Sequence, residues 1–277
     1  MKVIVTHLSP DLDAIASVWL IKKYLPGWKD AKVSFVPAGT TLDNKPPDED
    51  KNVIHVDTGL GQFDHHQTNK NICATTLVFN FLKKNKYIKK NEIDALERIV
   101  EFVNHIDHFQ EVFFPEPEND IYEFCLHQII DGLKQINYTN PQVLEITIIN
   151  LEAILKLFKN KITAEEQVKK GYIFNSAFGK TLALSDANEE AVKLALKKDF
   201  MLVVNKDSKK GFVRIKSKPL KTINLKPLYE KIITVDKKAS WYLHPSKNIL
   251  LNGSSKNPNL KPSSLSLTQI IEIIKKI

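Results

Sequence analysis

The stretch Lys2-Val3-Ile4-Val5-Thr6-His7-Leu8-Ser9-Pro10-Asp11-Leu12-Asp13-Ala14-Ile15 decides how the chain is read. Residues 2–5 are a short β-branched run, and across 13–24 the apolar residues Ile15, Val18, Trp19 and Ile21 recur at helical spacing until Pro26-Gly27. The turn between this strand and this helix carries a histidine and two aspartates. Residues 32–36 and 53–56 repeat the strand signal around the loop 40–52, which contains Pro46-Pro47, and 73–84 and 92–109 read as helices. Strands alternating with helices predict a parallel sheet, which places ligand-bearing turns at the carboxyl ends of its strands.

Further along, 120–136 reads as a helix, and 141–172 carries a long amphipathic pattern (Leu144, Ile148, Leu151, Leu155, Phe158, Ile162) that bridges two domains. A strand at 181–184, a helix at 188–197 and a hairpin of 201–204 with 211–215 follow. Strands near Leu243 and at 249–251, a loop at 252–264 and a closing helix at 267–277 complete the chain. The expected fold class is α/β. An N-terminal parallel-sheet domain with helices on both faces (1–165) ends in the bridging helix, and a smaller α+β domain follows (175–277).

A chain of 277 residues suits two modest domains. The early apolar run 14–21 is too short for a signal segment or a membrane span, so a cytoplasmic protein is expected, with no membrane partner. Cys73 and Cys125 have no metal-ligand spacing and read as small buried side chains. Charge is split along the chain. Residues 1–164 hold 18 Lys and Arg against 22 Asp and Glu, and residues 165–277 hold 22 against 10. An acidic front half suits metal binding and a basic back half suits a phosphate-bearing substrate, although many lysines simply solvate a surface.

The front half supplies a candidate ligand set. His7 follows the first strand, Asp11 and Asp13 enter the next helix, and Asp57 follows the strand 53–56, where its two oxygens could bridge two cations. His65 and Asp107 could then complete a second centre. Mixed His and Asp ligation suits Mn2+, or Co2+, better than Mg2+, and two such ions can activate water and clamp a phosphoryl group. Singly, each residue has a plainer explanation: Asp11 can cap the helix, and Asp57 before Gly59 can be a turn residue. His105 and His108 read as local hydrogen-bonding partners of the helix end. The joint occurrence of the set at strand ends favours the metal reading.

The set His7-x-x-x-Asp11-x-Asp13-Ala14, Asp57, Asp64-His65-His66 and Asp107 resembles the four motifs of the DHH phosphoesterase superfamily. That superfamily includes RecJ exonucleases, oligoribonucleases, cyclic-dinucleotide phosphodiesterases and family II inorganic pyrophosphatases. Ala74-Thr75-Thr76-Leu77-Val78 is similar to the helix start that follows the triplet in the nuclease members. The resemblance covers roughly the first 110 residues. It implies His7, Asp11 and Asp57 on one metal, and Asp13, Asp57, His65 and Asp107 on the other. It further implies that His66 contacts the scissile phosphate and that Asp64 orients the histidine pair. Asp64-His65-His66-Gln67 and Trp241-Tyr242-Leu243-His244-Pro245-Ser246 also resemble the melanocyte-proliferating-gene exonuclease family, whose first motif is spaced differently. The back half shows no GGGH-type signature of the DHHA1 substrate domain.

In that back half Arg214, one of two arginines, sits in a hairpin strand where a guanidinium could grip a phosphate. Asn252-Gly253-Ser254-Ser255-Lys256 offers backbone donors, hydroxyls and a cation, and His244 is a further candidate contact. The expected function is a two-metal phosphoesterase with its site at the cleft between domains, acting on short single-stranded oligonucleotides or small nucleotides. A homodimer is compatible with this reading. The alternatives are a family II-like pyrophosphatase, a non-catalytic nucleotide or nucleic-acid binding protein, and a metal-stabilised structural protein.

Overall fold

The computed structural model describes residues 1–253, 257 and 259–277. Its contacts divide into two compact units, Met1–Lys159 and Asn160–Ile277.

In the first unit β1 (Val3–His7) lies between β2 (Lys32–Val36) and β3 (Val53–His55), all parallel, with Val5 opposite Ser34 and His55. The helix after β1, α1 (Leu12–Tyr24), is buried from Leu12 to Ile21 and is packed on several sides, among others by α2 (Ala74–Lys84) and α3 (Ile93–Asp107). In α3 the buried residues Ala95, Leu96, Ile99, Val100 and Val103 form the one-sided stripe of an amphipathic helix. The expected helix 120–136 is interrupted. A 3-10 turn at Asp120–Phe124 gives way at Cys125, which is extended (φ −72°, ψ 149°), to α4 (Leu126–Gln135). The amphipathic pattern is the 31-residue α5 (Asn140–Lys170), which contributes buried Leu144, Leu151 and Leu155 to the first unit and Ala164 and Val168 to the second.

The second unit is a six-stranded mixed sheet in the order β4-β5-β6-β7-β9-β8. Its strands are β4 (Tyr172–Ser176), β5 (Gly179–Ser185), β6 (Leu202–Lys206), β7 (Val213–Ser217), β8 (Trp241–Leu243) and β9 (Ile249–Asn252). β5 and β6 are parallel, joined through α6 (Glu189–Lys197), and the other pairs are antiparallel. Strand alternation sends Leu182, Leu184 and Val203 into one core, with Ala191, Val192 and Ala195 of α6. Ala183, Leu202, Val204 and Ile215 go into the other core, with α7 (Lys226–Val235) and α8 (Leu267–Lys275). β4 and α7 add to the elements expected from the sequence without changing the class. The fold is α/β, a parallel three-stranded sheet with flanking helices followed by a mixed sheet with helices of its own. Among the described residues no helix is long and apolar enough to cross a membrane.

Candidate metal centre

Local structure brings the six candidate ligands together. His7 ends β1. Asp11 is the N-cap of α1, its Oδ1 accepting from Ala14 N at 3.0 Å, which leaves Oδ2 turned to His7 Nε2 at 4.0 Å. The capping and ligand readings of Asp11 therefore coexist on different oxygens. Asp13 is buried in the first turn of α1, and its two oxygens accept the Ala74 and Thr75 amides, both at 2.8 Å. Cys73, the N-cap of α2, makes no side-chain cap bond, so Asp13 closes that helix start from 61 residues away.

Asp57 lies two residues beyond β3 in a left-handed conformation (φ 54°), its amide donating to Phe63 O at 3.0 Å. That turn aims its two oxygens in different directions. Oδ2 is 3.2 Å from His7 Nε2, and Oδ1 is 3.4 Å from His65 Nε2 without hydrogen bonding to it. His65 Nε2 also lies 3.9 Å from Asp13 Oδ2 and 3.7 Å from Asp107 Oδ2, at the end of α3. Two groups of possible ligands result, His7 with Asp11 and Asp57, and Asp13 with His65 and Asp107; Asp57, His65 and His66 form a third.

Asp64 is buried behind the pair. Its Oδ2 accepts from Leu60 N at 2.7 Å, and its Oδ1 accepts from His66 N at 3.1 Å and lies 2.7 Å from His66 Nδ1. His66 is exposed, and its ring is held through Nδ1. His108 Nδ1 is 2.9 Å from Asn104 O, a local contact. The loop walls depend on residues that carry no motif. Thr58 Oγ1 accepts from Gly39 N and donates to Thr40 O, His55 Nε2 accepts from Leu42 N, and Asp48 accepts from Gln62 N. These links join residues distant in the chain, and in the sequence only a histidine within a short apolar strand hints at them.

The electrostatics are those of a crowded cluster. Burial, with the charges of Asp57 and Asp107 added, pushes the Asp13 carboxyl up to about 7. Burial pushes Asp107 up to about 6, and the neighbouring His65 offsets this only in part. Burial opposes a proton on His7, but Asp57, the Leu8 carbonyl and Asp11 outweigh it and raise the ring to about 9. The Asp57 carboxylate beside His65, helped by Asp107 and Asp13, raises that ring against its burial to about 9. Asp57 is itself held below the usual carboxylate range, because His65 and His7 overcome its burial. Asp57 Oδ1, His65 Nε2 and Asp107 Oδ2 are all buried without a hydrogen-bond partner. Carboxylates and imidazoles crowded together, with their unpaired atoms facing one another, fit divalent cations, which would relieve the repulsion and take those atoms as ligands. His7 Nδ1 faces Leu8 O at 2.9 Å, which fixes the tautomer that presents Nε2 to a metal.

Two cavities open on the carboxylates. One, of about 470 Å3, is lined by His7, Asp57, Asp64 and His66; the other, of about 360 Å3, lies along Asp11, Asp13 and Asp107.

The remaining candidates belong to the second unit. Arg214 Nη1 and Lys216 Nζ both pair with Glu189. Asn252 is buried, its amide donating to Ser240 O and Lys261 O and accepting from Ser263 N, so both donors are committed within the chain. Gly253 has φ +79°, and a Cβ there would lie 2.2 Å from the Phe212 ring, so packing explains the glycine. His244 is exposed, its Nδ1 held by Ser246. Ser254, Ser255 and Lys256 lie outside the described residues.

No family model and no curated protein matches the chain. Among solved structures, it is similar to a DHH-domain protein described as a member of a family of ribosomal proteins. Identity is 11%, coverage is 99% of this chain and 86% of that one, and the TM-score is 0.35. It is also similar to RecJ from Thermus thermophilus in complex with Mg2+, at 11% identity over 99% of this chain and 49% of RecJ, TM-score 0.34. The chain thus spans about half the length of RecJ. CDC45 from Entamoeba histolytica is similar at 10% identity, 99% and 95% coverage and TM-score 0.25.

Proposed function

We propose that the protein is a divalent-metal-dependent phosphoesterase that hydrolyses phosphodiester bonds of short oligonucleotides or small nucleotides, with two cations, Mn2+ by preference. The observation that carries this reading is the division of Asp57, Oδ2 to the His7 group and Oδ1 to the His65 group. A pair of divalent cations held there would supply Lewis acidity, nucleophile activation and charge neutralisation for phosphoryl transfer.

The chain's own groups do the rest. Asp11 and Asp13 are held by helix starts, so two carboxylates keep their positions without substrate. Asp64 fixes the His66 ring, and His66 Nε2 contacts a non-bridging oxygen of the scissile phosphate. In the second unit His244 remains a proposed substrate contact, with Arg214 and residues 253–256; Asn252 is spent within the chain, and Arg214 would bind phosphate while paired to Glu189.

The test is incubation of the purified chain with Mn2+ and dinucleotides, short single strands, cyclic dinucleotides or pyrophosphate. The expected result is Mn2+-dependent diester cleavage that His65→Ala lowers roughly 100-fold or more. Full activity in that variant rejects the reading, and pyrophosphate cleaved far faster than any diester redirects it to a pyrophosphatase.

A further inference from the structure

The cavity of about 360 Å3 along Asp107 contains groups that metal chemistry does not use. Ile106 and Ile130 give it apolar walls, and Phe109, Glu111 and His127 border it. Phe109 comes two residues after Asp107, just past the end of α3, in the left-handed region (φ 54°), and it is 68% exposed. A helix usually ends this way on Gly or Asn, because a β-carbon is strained there. Phe109 is thus a large apolar side chain at the border of the cavity that the fold does not bury.

Two polar atoms at the same place lack partners. Glu111 Oε2 and His127 Nδ1 are shut from solvent without a hydrogen bond, on two residues that border the cavity, and a ligand with N–H groups would satisfy them once it displaces the side chains that cover them. Asp131 adds a further carboxylate to the lining. This wall repels a free anion, whereas a neutral, planar ring with donor edges would lie on the phenyl face and pair with the carboxylate.

We propose that this cavity is a nucleobase subsite, in which Phe109 stacks on the base of the nucleotide whose sugar carries the scissile phosphate and Glu111 accepts from the N–H groups on its edge. The proposal rests on the phosphodiesterase reading and narrows it to substrates that carry a base beside the reacting phosphate.

The experiment compares a dinucleotide with its abasic analogue in the Mn2+-loaded 277-residue chain. Wild type should prefer the base-bearing substrate. Phe109→Ala should raise KM for it about tenfold, more than it lowers kcat, and collapse the preference, while Phe109→Trp should retain it. Titration with Mn2+ alone should show an intact centre in both variants. Equal cleavage of both substrates by wild type, or an unaltered ratio in Phe109→Ala, overturns the subsite and leaves the phosphodiesterase reading standing. Loss of a dimer in Phe109→Ala with the ratio unaltered overturns it in favour of a contact between copies. Cleavage of neither substrate by wild type overturns the underlying reading itself.

Discussion

Asp236 in the second unit and Asp57 in the first are both almost wholly buried, at 4% and 3% exposure. Asp236 is fully engaged: its Oδ2 accepts from Trp241 Nε1 at 3.0 Å and Ser263 Oγ at 2.5 Å, and its Oδ1 from Ser264 Oγ at 3.4 Å. Asp57 keeps Oδ1 without a partner, beside His65 Nε2 and Asp107 Oδ2 in the same condition. The contrast extends to the units. Among the described residues, every buried side-chain atom without a hydrogen-bond partner lies within Met1–Lys159. In the second unit Asn205 exchanges two bonds with Ala187, and Asn252 spends its amide on three backbone groups. A buried polar group satisfied from within holds a fold together; several left unsatisfied side by side, as at Asp57, His65 and Asp107, mark where a ligand is expected.

The largest effect that tests this contrast is Asp57→Asn. Removing the carboxylate common to both groups should cut Mn2+-dependent hydrolysis by roughly 100-fold or more and abolish the second Mn2+ in a calorimetric titration. Activity within about threefold of wild type would break the comparison. Asp236→Ala should do the reverse. It leaves Trp241 N–H and Ser263 O–H unpaired and should cost about 3 kcal/mol in urea unfolding, with Mn2+ affinity kept.

The third test uses pH. His7 and His65 titrate near 9 in the metal-free protein, and Asp13 and Asp107 near 7 and 6, so the folded state holds more protons than the unfolded chain across this range. Stability therefore falls as pH rises from about 6 to about 9. Mn2+ must displace the histidine protons, so its affinity should rise about tenfold per pH unit at each group up to that limit. Metal-free Tm should drop with rising pH while the shift produced by Mn2+ grows; a flat metal-free profile would count against the crowded cluster. The smallest effect is expected for Arg214→Ala. Glu189 already holds the guanidinium, and each side chain of the pair is about a third exposed. Stability should change by less than about 1 kcal/mol, while KM for a diester should rise about threefold, the guanidinium being shared with Glu189. An unchanged KM would take this arginine out of the substrate site.

Much of the centre was legible because its residues sit at ends of short, strongly patterned elements. The β-branched run before His7 and the helical period after Asp13 place those candidate ligands within one turn of chain. What could not be read lies in contacts across long separations. Nothing local to Asp13 announces the Ala74 and Thr75 amides, and nothing near Arg214 announces Glu189. The Asn-Gly pair at 252–253 looks like a loop cradle, yet the asparagine ends β9 facing inward and the glycine makes room for Phe212. The helix pattern of 120–136 hides a break at Cys125, since periodicity registers apolar spacing and not one extended residue. The cavity beside Asp107 was missed because Phe109, Glu111 and His127 form no recognisable motif.

The double acceptance by Asp13 has a further consequence. A carboxylate pinned through both oxygens by the start of α2 cannot swing outward to follow a larger ion. The width of that part of the centre is therefore set by helix packing, around Ser17 Oγ and Thr75 Oγ1 at 3.2 Å, and not by the ion. With cations held there as proposed, such a gauge would favour small ions of the Mn2+ or Mg2+ kind over Ca2+, whose longer oxygen distances need yielding ligands.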